Sequence, residues 1–188
     1  MLFLIIMAVL IVAFLIGLLI QEWWLPIVQP GYVMSKKTFG TLSYEIFEAG
    51  MHFVSPLAVT RSVSIQRRSL DYTGDSTAEA LTSDRVAMLV DTTIPYILND
   101  HAAPLMEEHY GTSWNIIGPI SRSVIRSCTS TVPWEVAVSD EGRTNIAECI
   151  SNRMLVSVAV ELEQAGFSQE QAVNSFSFPT AIIRRVVP

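Results

Sequence analysis

Between Met1 and Ile20 no side chain carries a charge, an amide, a hydroxyl or an imidazole; the run is Leu, Ile, Val, Phe, Met and Ala with one Gly. That absence argues against a helix on the surface of a soluble domain, which keeps one polar face. The run also lacks the basic leader and small-residue cleavage site of a secretory signal peptide. At roughly 1.5 Å of rise per residue, a helix through it is about 30 Å long, the thickness of bilayer hydrocarbon. Lipid offers backbone groups no water, so a lone segment there must be helical. Gln21 and Glu22 end the run, Trp23 and Trp24 suit the headgroup layer, and Pro26 closes it. The expectation is a transmembrane anchor over residues 1–25, with Leu2, Phe3, Leu10, Phe14 and Ile20 in the membrane and Trp23 and Trp24 at its interface.

Basic excess is missing too. Twelve Lys and Arg face eighteen Asp and Glu, a net charge of -6. An acidic chain has no electrostatic reason to bind an anionic polymer, so nucleic acid is excluded as a partner. Cysteine is scarce: Cys128 and Cys149 sit in helix-like stretches with no other Cys or His at ligand spacing, and both read as reduced core thiols. There are three histidines, His52, His101 and His109. His52 reads as a packing or turn residue, and the other two are two helical turns apart, so they do not converge on a metal. No glycine-rich phosphate loop and no nucleophile elbow occurs. The chain therefore reads as a non-enzyme, with no catalytic residue, no cofactor and no metal. No repeat or low-complexity tract breaks the remaining residues, about 160 of them, enough for a real core.

From Gln29 onward, brief strand-like pieces alternate with turn residues: Tyr32 to Met34, Thr38 to Leu42 and His52 to Val54. Val59 to Ile65 alternates and predicts a half-buried strand with Val59, Arg61, Val63 and Ile65 on one side. Ala78 to Leu81 and Val86 to Leu98 predict a hairpin around the polar turn Thr82–Arg85. Met88, Val90, Thr92 and Ile94 share one face, and Pro95 predicts an edge or a bulge. Beyond Asn99 the period changes to nearly four. His101 to Tyr110 predicts a short helix closed by Gly111. Pro119 suits the first turn of a second helix, whose Ile116, Ile120, Val124 and Cys128 recur every four residues. Asp140 to Ala165 predicts the longest helix, with a seam of Ile146, Ile150, Met154, Val158 and Leu162 flanked by Ala147, Leu155 and Ala159. Val173 to Phe178 reads as a last strand, and Ala181 to Arg184 as the first turn of another helix.

Gln29–Tyr32, Phe39 and Gly40, then Gly50, Met51, His52, Phe53 and Pro56 resemble the stomatin, prohibitin and flotillin family, also called SPFH or band 7 proteins. Thr82, Ser83, Asp84, Val86, Asp91, Ile94 and Tyr96 are similar to its hairpin, and Gly166, Phe176, Phe178 and Pro179 to its closing strand and exit. Ala49 stands where relatives often have Pro, and Pro95 interrupts a strand usually unbroken in the family. The resemblance implies an α+β fold: a single N-terminal transmembrane helix, then an SPFH domain of short-stranded antiparallel sheet followed by helices and a closing strand. The divisions expected are 1–25, a β-rich membrane-proximal part 26–98, an α-rich part 99–178, and 179–188 as the start of a C-terminal helix, absent or truncated. It further implies a scaffold that assembles laterally, with itself or other SPFH subunits, into a ring or cage. Such an assembly organises a membrane microdomain and modulates enclosed membrane proteins such as an AAA-type protease. Met51, Phe53 and Leu57 are expected to dip into the lipid interface. A membrane-tethered hydrolase and a monomeric tethered binding module are the alternatives. Lys36 and Lys37 follow the anchor, so the positive-inside rule favours a cytoplasmic C-terminal domain, at a plasma membrane or an organelle inner membrane.

Overall fold

The computed structural model describes residues 6–7, 9–17, 25–38, 41–55 and 57–187. They fall into two compact units, Met1–Ser64 and Ile65–Pro188. Leu2, Phe3, Ile20, Trp23 and Trp24, and the family-like Phe39, Gly40 and Pro56, lie outside the described residues.

In the first unit, residues 6–7 and 9–17 are helical. Among the described residues no helix is long and apolar enough to cross a membrane. Five strands follow: β1 (Ile27–Val28), β2 (Tyr32–Thr38), β3 (Thr41–Phe47), β4 (Gly50–Met51) and β5 (Ala58–Ser64). Pro30 and Gly31 make the turn into β2; Gly31 has φ +80° and the Tyr32 N–H donates to the Gln29 carbonyl at 3.1 Å. Glycine at the third position is what such a turn requires. β2 lies between β3 and β5, antiparallel to both. It runs on through Lys36 and Lys37, where the sequence suggested a break; Lys36 is ion-paired to Glu45 of β3 and lies 5.3 Å from the Phe47 ring centroid. β1 pairs with β4. His52 to Val54 is not a strand but an extended segment leaving β4. β5 is half-buried as expected, and at its start Val59 is exposed while Ala58 and Thr60 are partly covered.

The second unit is built on one strand. After β6 (Arg68–Tyr72), a 3-10 turn (Gly74–Ser76) and β7 (Ala78–Leu81), β8 runs from Ala87 to Leu98. β6 pairs with Thr92–Tyr96 and β7 with Ala87–Val90, so they lie end to end along one flank. On the other flank lie β9 (Phe176–Ser177) and β10 (Ile182–Val187). β10 pairing reaches Thr93 and β9 pairing starts at Ile97, which leaves Pro95 unopposed there. A residue with no N–H is tolerated in this central strand because the partner is interrupted at that point. Alternation in β8 buries Met88, Val90, Thr92 and Ile94 as expected.

The helices are α1 (Ala103–Tyr110), α2 (Ser113–Thr129), α3 (Trp134–Ala137), α4 (Asp140–Gln164) and α5 (Gln169–Val173). Pro119 lies inside α2 rather than in its first turn. It leaves the Asn115 carbonyl without its helical partner, and its exposed position lets solvent take that place. The α4 seam of Ile146, Ile150, Met154, Val158 and Leu162 is buried to within 1%. Each such side chain contributes about 1.5–3 kcal/mol relative to exposure. Leu155, expected on the flank, is 37% exposed because it stands roughly 100° around the helix from Met154. Ser139 caps α4 by accepting from the Gly142 N–H at 3.0 Å.

Further expectations are overturned. Cys128 and Cys149 are not reduced thiols: they form a disulfide across α2 and α4, with Cα atoms 5.9 Å apart. A sequence separation of 21 residues does not matter when two helices set the residues face to face, within the span a disulfide bridges. Nor do the last residues begin a helix. Ile182–Val187 is strand β10, because the flank of β8 offers a ladder and the Ser151 hydroxyl of α4 fixes its entry, accepting from the Ala181 N–H at 2.9 Å and donating to the Pro179 carbonyl at 3.3 Å. Likewise the strand expected over Val173–Phe178 is reduced to β9, preceded by α5.

Candidate membrane interface

The first unit presents apolar side chains on the side where alternation would put polar ones. Val28 and Val54 are buried, packing with Met34 against Tyr32, Phe47 and Ala58. The residues beside them in sequence face outward: Ile27 is 66% exposed, Met51 68%, Phe53 68%, Leu57 65% and Val59 64%. Ile27 and Met51 are direct partners across β1 and β4. Five large apolar residues within so short a stretch exceed the scattered exposure normal on a soluble surface.

Backbone and side-chain bonds hold the segment. The His52 N–H donates to the Pro26 carbonyl at 3.1 Å, and its ring Nε2 donates to the Glu48 carbonyl at 2.7 Å. The same ring packs edge-on to Phe47, 5.1 Å between centroids. His52 is thus a turn clamp, which leaves Met51 and Phe53 on either side of it pointing out. Gly50, at φ +143°, supplies the conformation that starts the turn. The Ala58 N–H bonds the Ser55 carbonyl at 2.9 Å and holds Leu57 at the tip. Leu10 and Phe14, in the described part of the N-terminal helix, are 59% and 67% exposed, and Ile11, Val12, Leu15 and Ile16 are exposed as well. That helix is apolar on every side.

In the second unit a cleft of about 560 Å³ lies between β7 and α2, lined by Glu79, Ala80, Leu81, Ala87, Arg126, Ser127 and Ser130. Arg126 Nε donates to the Glu79 carbonyl at 3.1 Å, which closes part of the exposed edge of β7. Ser127 accepts from Arg153. The cleft's lining holds two serines, Ser127 and Ser130, one carboxylate, Glu79, and no histidine. Among the described residues no three His, Cys, Asp or Glu side chains are grouped to hold a metal. His101 lies by Asp100 at 3.7 Å, and His109 packs 5.3 Å from the Phe167 ring, so the two histidines serve different neighbours.

The hairpin turn has a role that composition did not reveal. Thr82 donates to the Asp84 carboxylate and accepts from the Val86 N–H at 3.1 Å. Asp84 also accepts from the Trp134 N–H, at 3.2 and 3.3 Å, at the start of α3. The Ser83 N–H adds a bond to the Val132 carbonyl at 3.0 Å. The turn is therefore tied to the chain between α2 and α3. The Thr82 hydroxyl, with help from the Trp134 N–H, holds the Asp84 carboxyl below its ordinary value.

A family model described as the SPFH domain / Band 7 family matches residues 26–186. The chain belongs to the SPFH family. SPFH proteins are generally non-enzymatic membrane scaffolds that form oligomers and associate with membranes. Among curated proteins, none matches the chain. The match spans both compact units, so the outward-facing apolar residues of the first and the Thr82–Asp84 tie of the second belong to one SPFH domain.

Proposed function

We propose that this SPFH protein is a membrane-anchored scaffold subunit: one apolar helix holds it in the bilayer, and copies of it, or other SPFH subunits, associate side by side into a ring or cage. That assembly organises a membrane microdomain and modulates membrane proteins it encloses, an AAA-type protease among the candidates. The observation that carries the reading is the outward apolar set Ile27, Met51, Phe53, Leu57 and Val59, beside a twenty-residue opening run without a polar side chain. Leu2, Phe3, Leu10, Phe14 and Ile20 lie within the span in this reading, Trp23 and Trp24 at its edge, and Met51, Phe53 and Leu57 form a second contact with lipid. Two contacts fix a domain's tilt as well as its depth. Tethering confines copies to a plane and raises their effective concentration, so that weak lateral contacts sum to a closed ring.

Detergent extraction of the full chain followed by mass photometry tests the assembly. A large uniform particle is expected; single small particles would refute it. For the second contact, Phe53→Trp in bilayers carrying depth-resolved quenchers should be quenched from the headgroup side of the acyl chains, and full exposure to an aqueous quencher would refute that contact.

A further inference from the structure

Cys128 and Cys149 are the only cysteines in the chain, and they are joined. Cys128 is wholly buried in the last turn of α2, beside Val124 and Ile125, and Cys149 is half-buried on α4 between Glu148 and Ile150. No third thiol exists in the chain to open the bridge by internal exchange, and a buried sulfur is a poor target for an external one. The pair lacks the Cys-x-x-Cys spacing and exposure of a catalytic or sensing disulfide. It is a structural tie between the two largest helices of the second unit. Such ties persist where the surroundings are oxidising and are rare in the reducing cytosol.

We infer that the unit 65–188 lies on the non-cytosolic side of its membrane, in an oxidising compartment, opposite to the side suggested by Lys36 and Lys37. Those two lysines stand at the far edge of the window over which basic residues orient a span, so they set a weak bias. The bridge outweighs them, because every folded copy must meet an oxidant. The inference rests on the anchored reading above, since a side of the membrane has meaning only for an anchored chain. Its consequence is the kind of partner within reach: the extracytoplasmic segments of membrane proteins, and further copies of this chain.

The test uses the full-length chain expressed in a bacterial plasma membrane. Alkaline carbonate washing first asks whether it stays with the membrane. Glu163→Cys, at an exposed position on α4, is then labelled with a membrane-impermeant maleimide on intact spheroplasts. In parallel the native chain is denatured and treated with a polymer-tagged maleimide, before and after reduction. Expected are retention in the pellet, labelling of the introduced thiol before lysis, and two tags on the native chain only after reduction. Labelling only after lysis would overturn the inference whatever the state of the bridge, and so would two tags without reduction. Release into the carbonate supernatant would overturn the anchor itself, a failure distinct from the other two.

Discussion

Replacing Gly142 by alanine pits helix propensity against packing, and the two differ in sign. By propensity the change should stabilise α4 by about 1 kcal/mol. At this position, however, an added Cβ would lie 1.8 Å from the Val136 carbonyl oxygen, 2.6 Å from its carbon and 3.2 Å from the Ala137 nitrogen. Cβ contacts below 3.0 Å essentially do not occur, and the obstacle is backbone, which has no rotamer to move aside. The α3 chain and the first turn of α4 must separate by about 1.2 Å, the difference between those distances. That movement also pulls the Gly142 N–H from the Ser139 hydroxyl. Overpacking of this kind costs about 1–3 kcal/mol or more, and the lost cap about 1 kcal/mol. After the propensity gain the net loss is about 1–3 kcal/mol, roughly 4–12 °C in the melting temperature of a unit this size. Thermal unfolding of the full chain in detergent, followed by circular dichroism at helical wavelengths, measures it. Ser139→Ala removes the cap and the hydroxyl's bond to the Val136 carbonyl without adding a Cβ, and should cost about 1 kcal/mol. If G142A melts with or above the parent, the close approach of α3 to α4 is wrong.

Asp84 has a lowered carboxyl pKa, so its contribution to stability is present above the unfolded-state value and is lost as the pH falls through the folded one. The difference in melting temperature between the parent and Asp84→Asn should therefore shrink between about pH 5 and pH 2, and a difference that stays constant would show that the carboxylate is not held by Thr82 and Trp134. Reducing the Cys128–Cys149 bridge should cost about 3 kcal/mol for a loop of its length, read as an earlier denaturant midpoint with reductant and as no reductant effect in a Cys128→Ala, Cys149→Ala variant. Paired Phe53→Ser and Leu57→Ser changes should leave the melting temperature alone, since both side chains are exposed. In nanodiscs the same pair should speed amide exchange over residues 51–57 roughly thirtyfold, the equivalent of about 2 kcal/mol of lost lipid contact; equal exchange would remove the second contact.

What could be read from the chain alone was whatever local period encodes. The α4 seam repeats every four residues from Ile146 to Leu162, and the Thr82–Arg85 turn between two alternating runs marks a hairpin, so both were legible. Features that depend on a distant partner were not. Ala181–Arg184 carries no strand alternation, and β10 forms only because β8, about ninety residues earlier in sequence, offers a ladder. The facing of Cys128 and Cys149 is a property of two packed helices, invisible to spacing. Alternation over Val59–Ile65 sets only that neighbours differ, and contacts decide that Val59 faces outward. Pro119 misled because its fixed φ suits a first turn and is also tolerated on an exposed face farther in. Of the interface, the apolar character of Met51, Phe53 and Leu57 was plain from the residues. Their outward display was not, because it follows from the inward turn of Val28 and Val54.

The pairing of β8 with β10 bears on how the protein is made. The Thr92 hydroxyl donates to the Ile182 carbonyl at 3.3 Å, across a sequence separation of 90. During synthesis one flank of β8 stays bare until residues 182–187 have left the ribosome, with Val90 and Leu89 beside open backbone groups. Contacts this distant in sequence slow folding and lengthen the time a sticky edge is on view. Newborn copies held close together are at greatest risk of pairing with one another's unfinished sheets.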